Sequence, residues 1–271
     1  MYKKDKPLVS VVLAVYNRER YVAEAIESIL TQTYSNLELL IVNDGSTDKS
    51  DLIIKQYMKK DKRIKYISSK TNLGQSGARN VAICQAHGDF IAISDSDDLC
   101  MKNRLKTQID YYKKNFSKTD VLGSYYLLFS DSDTSKTSIV KADKNDILDG
   151  KPPVHNPTCM IKADVFKKYG TYDSQYDDAE DVELWFRWFH QGVRFSNLEI
   201  PLYKKRNHEE NVSTVKVRHQ VYLMLRINLR AIFFHGIRFS INGYLRIFEQ
   251  FGYYLYLALG LNKIYSLNSK K

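Results

Sequence analysis

Short β-branched segments alternate with segments of helical apolar spacing through residues 1 to 130, and this alternation restricts the fold more than any other feature. Leu8 to Val15 is typical of a strand that is buried on both faces. Glu19 to Gln32 then carries its apolar residues at helical intervals. Further strands are predicted at Leu37 to Val42, Ile64 to Ser68, Phe90 to Ser94 and Val121 to Leu128, and further helices at Asp48 to Lys60, Gln75 to Ala86 and Asp98 to Asn115. The pattern predicts βαβ units, and therefore an α/β fold with a mixed, mainly parallel sheet flanked by helices.

The rest of the chain divides into a mixed region and a C-terminal tail. Residues 131–153 are polar and turn-rich, which predicts a loop or crossover. A short helix is predicted from about Asp181 to Gln191, with Gly192 as its cap. Residues 214–271 intersperse arginines with aromatic and aliphatic residues, and glycines interrupt the pattern, so several short helices are predicted there. The interrupting glycines are Gly236, Gly243 and Gly252. We therefore expect a body over residues 1–213 and a helical extension over residues 214–271.

The net charge of +10 lies mostly in the tail. From Lys216 onward there are nine basic residues and one acidic residue, Glu249. Nucleic acid and an anionic membrane surface are both possible partners for such a tail. The body is nearly neutral and no nucleic-acid-binding motif occurs, so we expect an anionic membrane surface and no nucleic acid. The alternative is that the tail is a helical cap packed on the body.

Targeting signals and cysteines favour a reducing compartment. The N-terminus up to Pro7 has neither the apolar core nor the cleavage site of a secretory signal. The longest apolar candidate, Phe251 to Leu261, is too short for a transmembrane helix. The 3 cysteines are an odd number and match no C-x-x-C metal spacing. These observations predict a cytoplasmic protein, peripheral on the inner face of the cell membrane.

Polar residues follow the predicted strands at the ends where parallel sheets bind their ligands. Tyr16-Asn17 and Asp44 follow two of them, and the acidic cluster Asp95, Asp97 and Asp98 follows a third. Because ionised carboxylates so close together repel one another, a positive partner is expected between them.

Several readings of the acidic cluster are possible. A helix cap accounts for one carboxylate and leaves the others unexplained. Leu99 and Cys100 exclude a calcium-binding EF-hand, since they occupy positions where a ligand and the turn glycine belong. An aspartate nucleophile is a weaker alternative. A divalent cation held by Asp97 with help from Asp95 fits best, and these hard oxygen ligands suit Mn²⁺ or Mg²⁺.

An ordered series of motifs resembles family 2 glycosyltransferases, which are enzymes of the GT-A fold. Val9 to Asn17 and Ser28 to Tyr34 match the family's opening. The other matching segments are Leu39 to Asp48, Asn72 to Gly74, Ala78 to Asn80, Gly88 to Asp98, Gly170 to Asp173, Ala179 to Trp185 and Arg206 to His208. The series covers residues 8 to 213 in the family's order. Two residues depart from it: Ala14 replaces a common proline, and Asn43 replaces the first acid of an Asp-Asp pair.

The resemblance implies a nucleotide-binding part, residues 1–130, and an acceptor-side part, residues 131–213. It places nucleotide contacts at Ala14, Tyr16, Asn17, Asp44, Arg79 and Asp95, with Asp44 on the nucleobase. It implies that Asp97 binds the metal, with Asp95 also a candidate ligand. His208 would lie near the metal or diphosphate, in a spacing shared with Asn211 and Ser213; otherwise it is a solvated surface residue. For Arg79 the alternative is a surface ion pair.

The same resemblance identifies Asp181 as the catalytic base, beside the anomeric carbon of the sugar. A base taking the acceptor proton in one in-line displacement inverts the anomeric configuration. Glu180, Trp185 and Arg206 are carried over to the acceptor or donor-sugar side. Core packing is the default expectation for Trp185 and its aromatic neighbours on the helix, and stacking on an acceptor sugar is the alternative.

The implied function is transfer of a hexosyl or N-acetylhexosaminyl group from a nucleotide diphosphate, with UDP favoured, to a hydroxyl of a glycan or lipid-linked acceptor. Capsule or lipopolysaccharide assembly is the expected setting. One alternative is a non-catalytic relative that binds nucleotide sugar or glycan. A nucleotidyltransferase would need a glycine- and lysine-rich phosphate loop near the first strand, and Val15 to Arg18 is not one.

Overall fold

The protein, described here by a computed structural model, has a mixed nine-stranded sheet flanked by helices. The structure describes residues 5–131, 133–208, 217–235 and 237–258. The strands are β1 Val9–Val15, β2 Leu37–Asp44, β3 Ile64–Ser69, β4 Phe90–Asp95, β5 Leu99–Cys100, β6 Val121–Ser130, β7 Asp133–Val140, β8 Met160–Lys162 and β9 Phe195–Arg206. The helices are α1 Val22–Leu30, α2 Ser50–Lys60, α3 Gly74–Cys84, α4 Arg104–Asn115, α5 Ala163–Tyr169, α6 Glu180–His190, α7 Val217–His235 and α8 Ile241–Ala258. The predicted α/β class is confirmed.

The sheet order is β3-β2-β1-β4-β8-β6-β9-β5, and β7 pairs with β6. The first four strands in this order are all parallel, so their carboxyl ends meet at one edge. In this register Ala14 lies beside both Val42 and Asp95. The residues that follow β1, β2 and β4 are thereby brought to one place, as the sequence predicted.

The two faces of the sheet form two separate hydrophobic cores. Val9, Val11, Leu13 and Val15 point into one core, whereas Val12 points into the other. The first core is completed by α1, α2 and α4, and the second by α3, α5 and α6. A strand with a core on each face must be apolar along its whole length, which accounts for the β-branched runs of the sequence.

Two predicted elements differ in the structure. The helix predicted from Asp98 begins at Arg104, because Leu99 and Cys100 pair with β9 as the short strand β5. Interpretation of the acidic cluster as a helix cap is therefore wrong. Residues 131–153, predicted to be a loop, contain β7 and a 3₁₀ turn. The hairpin partner β6 gives β7 its backbone hydrogen bonds, which a composition-based reading does not detect.

The described part of the tail forms two long helices rather than several short ones, with a break around residues 237–240. Gly243 and Gly252, predicted to interrupt helices, both lie within α8. Gly243 serves a close approach: a Cβ there would lie 2.5 Å from the Leu148 carbonyl oxygen. Helix α7 packs on α6, and α8 packs on α7 and on the 3₁₀ turn, through a third apolar cluster. Gly236, which was predicted to interrupt a helix, and residues 214–216 and 259–271 lie outside the described residues.

None of the helices in the described residues has both the length and the hydropathy that crossing a bilayer requires.

Candidate functional site

A cleft of about 490 Å³ opens at the carboxyl ends of β1, β2 and β4. Its charged lining is strongly acidic, with eight carboxyl groups and three basic side chains. The carboxyl groups belong to Asp44, Asp95, Asp97, Asp98, Asp177, Asp178, Glu180 and Asp181, and the basic groups to Arg18, Arg79 and Lys205. Ala14 and Tyr16 also line the cleft, and Tyr16 is largely exposed to it. An anionic ligand would need additional positive charge to bind here.

One end of the cleft is closed by a loop at the start of α3. The Leu73 N–H donates to Asp44 Oδ1 over 2.7 Å, and the Ser76 N–H donates to Asp177 Oδ1 over 3.0 Å. Gly74, at φ +77°, leaves no room for a side chain, since a Cβ would lie 1.8 Å from Asp177 Oδ2. Burial raises the pKa of Asp44 despite the backbone donors. These contacts fix Asp44 in a narrow polar recess.

Arg79 is a buried bridge between two carboxylates of the cleft. Its Nη2 is 2.9 Å from Asp95 Oδ1 and its Nη1 is 2.5 Å from Glu180 Oε1. The guanidinium also lies over the Tyr172 ring, 5.6 Å from the centroid. The alternative of a surface ion pair is therefore wrong. Arg79 holds β4 and α6 together, and its direct contact with a nucleotide stays a prediction.

The acidic cluster is held from behind by two other segments, the turn after β1 and the end of β9. Asp97 Oδ2 accepts from Arg18 Nε (3.2 Å) and lies 3.1 Å from His208 Nε2. The Arg206 N–H donates to Asp98 Oδ1 over 2.8 Å. Burial, followed by repulsion from Asp97 and Asp95, raises the pKa of Asp98 well above its usual range. Asp98 is thus an internal support of the cluster.

The metal set predicted from the sequence is not preassembled. Within the described ranges, no three His, Cys, Asp or Glu side chains surround one metal position. Asp97 is engaged by Arg18 and His208, while Asp95 and Asp97 both reach the cleft. A Mg²⁺-type ion commonly takes one or two carboxylates and completes its shell with substrate phosphates. The donor set fits an ion that arrives with a diphosphate, and the role of His208 as a ligand stays a prediction.

Asp181 faces the cleft from the first turn of α6. Its Oδ1 accepts from the Val182 N–H over 2.8 Å, and the helix N-terminus stabilises its anionic form. Burial raises the pKa of Asp181, although nearby Arg79 lowers it. Burial also raises the pKa of Glu180, to about 7. A carboxylate with a raised pKa accepts a proton more readily, as a general base requires.

Two predicted site residues are buried away from the cleft. Trp185 has 0% exposure and packs in the core against Trp188, so the alternative of stacking on a sugar is wrong. Arg206 lies behind the acidic cluster, between the rings of Tyr21 and Phe129. It forms ion pairs with Glu24 and Asp131. Its placement on the sugar side is therefore wrong, because its guanidinium is already occupied.

Two further residues support the site without lining the cleft. Asn17, at φ +50°, accepts the Thr47 N–H over 2.9 Å and so fixes the turn after β2. His208 stacks on Tyr21 with 4.9 Å between ring centroids, so it is not a solvated surface residue. Asn43 is also turned away from the cleft, where its amide contacts Asp51. Asn211 and Ser213 lie outside the described residues.

Sequence reasoning missed several residues that line the cleft. Lys205 reaches it from β9; burial alone would lower its pKa, but Tyr126, Asp95 and other acids nearby raise it. Gln220 reaches it from α7, in the tail, and its Nε2 donates to the Asp178 carbonyl oxygen over 2.9 Å. The alternation of β9 could have pointed to Lys205. Asp178 also pairs with His219, which lies 41 positions further along the chain. Nothing in the local sequence therefore places the neighbouring Gln220 beside Asp178.

Comparisons with known proteins show which family this chain resembles. The family model described as glycosyl transferase family 2 matches residues 10–170. An uncharacterized glycosyltransferase of Methanocaldococcus jannaschii, MJ1057, is 36% identical over 223 residues, covering 78% of this chain and 76% of that protein. An uncharacterized glycosyltransferase of Haemophilus influenzae is 28% identical over 290 residues, covering 96% and 89%.

Solved structures share the fold. S. aureus TarS 1-349 in complex with UDP-GlcNAc is similar with a TM-score of 0.67 and 22% identity, covering 85% of this chain and 69% of that one. The mannosyltransferase PcManGT of Pyrobaculum calidifontis, in complex with GDP-Man and Mn²⁺, has a TM-score of 0.67 and 16% identity, covering 84% and 64%. The chain spans 39% of a longer TarS structure. The arrangement of sheet and helices is therefore that of GT-A glycosyltransferases.

Proposed function

This chain belongs to glycosyltransferase family 2, and we propose that it transfers a sugar from a nucleotide diphosphate, preferentially UDP, to an acceptor hydroxyl with inversion at the anomeric carbon. The observation that carries the proposal is the meeting of Asp44, Asp97 and Asp181 in one cleft. They come from three distant parts of the chain, and each has a chemically distinct task.

The nucleoside would bind where β1 and β2 end. Asp44 is fixed by the Leu73 N–H, and its carboxylate accepts from the N–H of a uracil ring. Tyr16 offers an exposed aromatic face at the same end of the cleft. Lys205 adds positive charge to an otherwise acidic wall. This combination favours a uridine nucleotide whose diphosphate extends towards Asp95 and Asp97.

The reaction needs one base and one departing group. The acceptor hydroxyl oxygen forms a bond to the anomeric carbon, and Asp181 accepts the proton of that hydroxyl. The bond from that carbon to the diphosphate oxygen breaks, and its electron pair leaves with the nucleotide. Asp95 and Asp97 would hold a Mn²⁺ or Mg²⁺ ion, which when bound neutralises charge on the diphosphate. Glu180 is held by Arg79, so Asp181 is the better placed base.

We expect UDP to bind only together with a divalent cation. The acidic cleft repels the diphosphate unless a cation lies between them. Calorimetric titration with UDP and with GDP, each with Mn²⁺ or with EDTA, measures this directly. Asp97→Asn should weaken UDP binding with Mn²⁺ by at least about 10- to 100-fold, because replacing a residue that only supports a metal ligand already costs that much affinity.

The matched control is Asp164→Asn, which removes one carboxylate far from the cleft, on α5, and should leave UDP affinity unchanged. Equal UDP affinity in Mn²⁺ and in EDTA would show that the acidic cluster needs no metal. Tighter binding of GDP than of UDP would overturn the uridine assignment alone.

The acceptor side of the proposal is a glycan or lipid-linked acceptor at the cytoplasmic face of the membrane, in cell-surface polysaccharide synthesis. Its support is an apolar face of α8 whose side chains are 42% to 81% exposed. This face consists of Ile241, Tyr244, Leu245, Phe248, Phe251 and Leu255. A helix with one exposed apolar face and basic residues nearby suits the interface of an anionic bilayer.

Phe248→Glu is expected to lower partitioning onto phosphatidylglycerol vesicles by about tenfold or more, since burying a phenylalanine is worth about 1.5–3 kcal/mol. Co-sedimentation with vesicles measures the bound fraction. Leu52→Glu is the matched control, because Leu52 is 56% exposed on α2, in the body. If both variants partition like the wild type, α8 does not face the bilayer.

A further inference from the structure

A second cavity, of about 590 Å³, lies between α7 and the segment that holds Tyr176. The volume is within the range of about 300–1,000 Å³ that is usual for small-molecule sites. Tyr222, Leu225, Leu229 and Phe233 form its apolar wall at helical intervals along α7. The wall extends from position 222 to position 233, a rise of about 16 Å along the helix. We call this cavity the α7 groove.

Among the described residues that line it, the α7 groove has two positive charges and no negative one. Arg226 and Arg230 line it together with the apolar residues. Arg226 lies over the Tyr176 ring, 4.9 Å from the centroid, and Arg230 Nη1 donates to the Tyr176 hydroxyl over 3.0 Å. Throughout the described ranges, no carboxylate forms an ion pair with Arg226. An arginine pair beside a hydrocarbon-lined wall matches an amphiphile with an anionic headgroup.

The α7 groove adjoins the catalytic cleft. Tyr176 lines the groove, and the next two residues, Asp177 and Asp178, line the cleft. On the opposite side Gln220 lines the cleft and Tyr222 lines the groove. The rise from Gln220 to Arg226 along the helix is about 9 Å. A headgroup bound by the arginines would thus be separated from the cleft by a short distance that a sugar residue could span.

The α7 groove also borders the exposed apolar surface of the tail. Phe233 is 75% exposed, and Tyr222 contacts Tyr254 of α8 with ring centroids 5.9 Å apart. The groove therefore connects the catalytic cleft with the helix whose apolar face we assign to the membrane.

We propose that the α7 groove binds an acceptor lipid whose long hydrocarbon chain carries a diphosphate headgroup. The hydrocarbon lies along Leu225, Leu229 and Phe233, and Arg226 and Arg230 bind the diphosphate. The sugar attached to that diphosphate then enters the cleft, where its hydroxyl meets Asp181. This assignment rests on the proposed transferase function and specifies the class of its acceptor.

Farnesyl diphosphate is a suitable probe, because it combines a hydrocarbon chain with a diphosphate and is soluble below its micellar concentration. Calorimetric titration of the full chain, with Mn²⁺ and saturating UDP present, keeps the probe's diphosphate out of the cleft. Farnesol and inorganic pyrophosphate, titrated in parallel, test the chain and the headgroup alone. We expect farnesyl diphosphate to bind at least about tenfold more tightly than either, since both halves of the site contribute.

Arg226→Gln should weaken farnesyl diphosphate about tenfold, as expected for a lost charge-assisted hydrogen bond. Leu229→Asn should weaken the binding of farnesyl diphosphate by a similar factor, because it removes apolar surface from the wall that contacts the hydrocarbon chain. Arg238→Gln removes the same charge outside the groove and should have no effect. UDP affinity, measured on each variant, should remain unchanged and reports that the catalytic cleft is intact.

Equal affinity of the wild type and Arg226→Gln for farnesyl diphosphate would overturn the proposal. A second result would also overturn it: the wild type does not bind the probe, and Arg226→Gln binds vesicles less well than the wild type. The groove would then face bulk lipid. Binding of UDP without binding of the probe would reject the groove and retain the transferase. Binding of the probe in a protein that fails to bind any nucleotide would support the groove and reject the donor assignment.

Discussion

Asp181→Asn is expected to lower turnover by about 10²- to 10⁴-fold, the usual contribution of a general base. Asparagine keeps the size and the hydrogen bond from the Val182 N–H but cannot accept the acceptor's proton. Because Asp181 is proposed to act on the acceptor, UDP affinity should be unchanged. The measurement is the rate of UDP release from a UDP-sugar, with calorimetry on the same sample.

Two comparisons make this result specific. Asp164→Asn removes a carboxylate that is 93% exposed and should turn over at the wild-type rate. Full activity in Asp181→Asn would assign the base to another group, and Glu180→Gln would be the next variant to measure. A wild-type protein that binds UDP tightly and never releases it from a UDP-sugar would instead be a binding relative of the enzymes.

The same assignment predicts a pH dependence. Burial raises the pKa of Asp181, so its proton is lost at a higher pH than from an ordinary aspartate. Only the ionised form accepts a proton, so activity should fall as the pH decreases through that pKa. The acid limb of kcat/KM should lie above the usual range for aspartate and be absent from Asp181→Asn.

Arg79→Met is expected to lower the free energy of unfolding by about 3–5 kcal/mol, as when one partner of a buried ion pair is removed. Arg79 is 4% exposed and bridges Asp95 and Glu180, so its loss leaves two carboxylates without their cation. Denaturant unfolding measures the change. Lys106→Met, in an exposed pair with Asp110, should cost at most about 1 kcal/mol.

A double variant separates charge from packing. Arg79→Met with Glu180→Gln should recover part of the loss, because one unpaired charge is removed. The pKa of Glu180 is already raised to about 7, mainly by burial, and loss of Arg79 raises it further. The folded variant therefore binds a proton more tightly than the unfolded chain, and its deficit should be smaller at about pH 6 than at about pH 8. A deficit below about 1 kcal/mol at both values would contradict the bridge.

The parallel half of the sheet could be predicted because its strands are buried on both faces. Val9 to Val15 alternates between two cores, which forces an apolar run that is visible in the sequence. Once the strands are parallel, the residues that follow them must meet at one edge, so Asp44 and Asp95 were predicted to lie at the same ligand-binding edge. The acidic cluster was found for the same reason.

What could not be predicted depends on contacts between distant segments. Arg206 and Lys205 are adjacent in β9, yet one supports the acidic cluster and the other lines the cleft. Strand alternation separates them, but only the pairing of β9 with β6 and β5 decides which one faces the ligand. Trp185 was ambiguous for a similar reason, since a helix that borders both a core and a cleft presents aromatic residues to either.

The hydrogen bond from Gln220 to Asp178 means that a residue of the tail forms part of the cleft wall. If the α7 groove binds the acceptor as proposed, exchanging tails between relatives would change the acceptor and would also replace this part of the cleft. Mutations that retarget the acceptor therefore have to be compatible with loop 177–178 beside the donor. The two halves of the molecule should evolve together, with substitutions in α7 matched by substitutions in that loop.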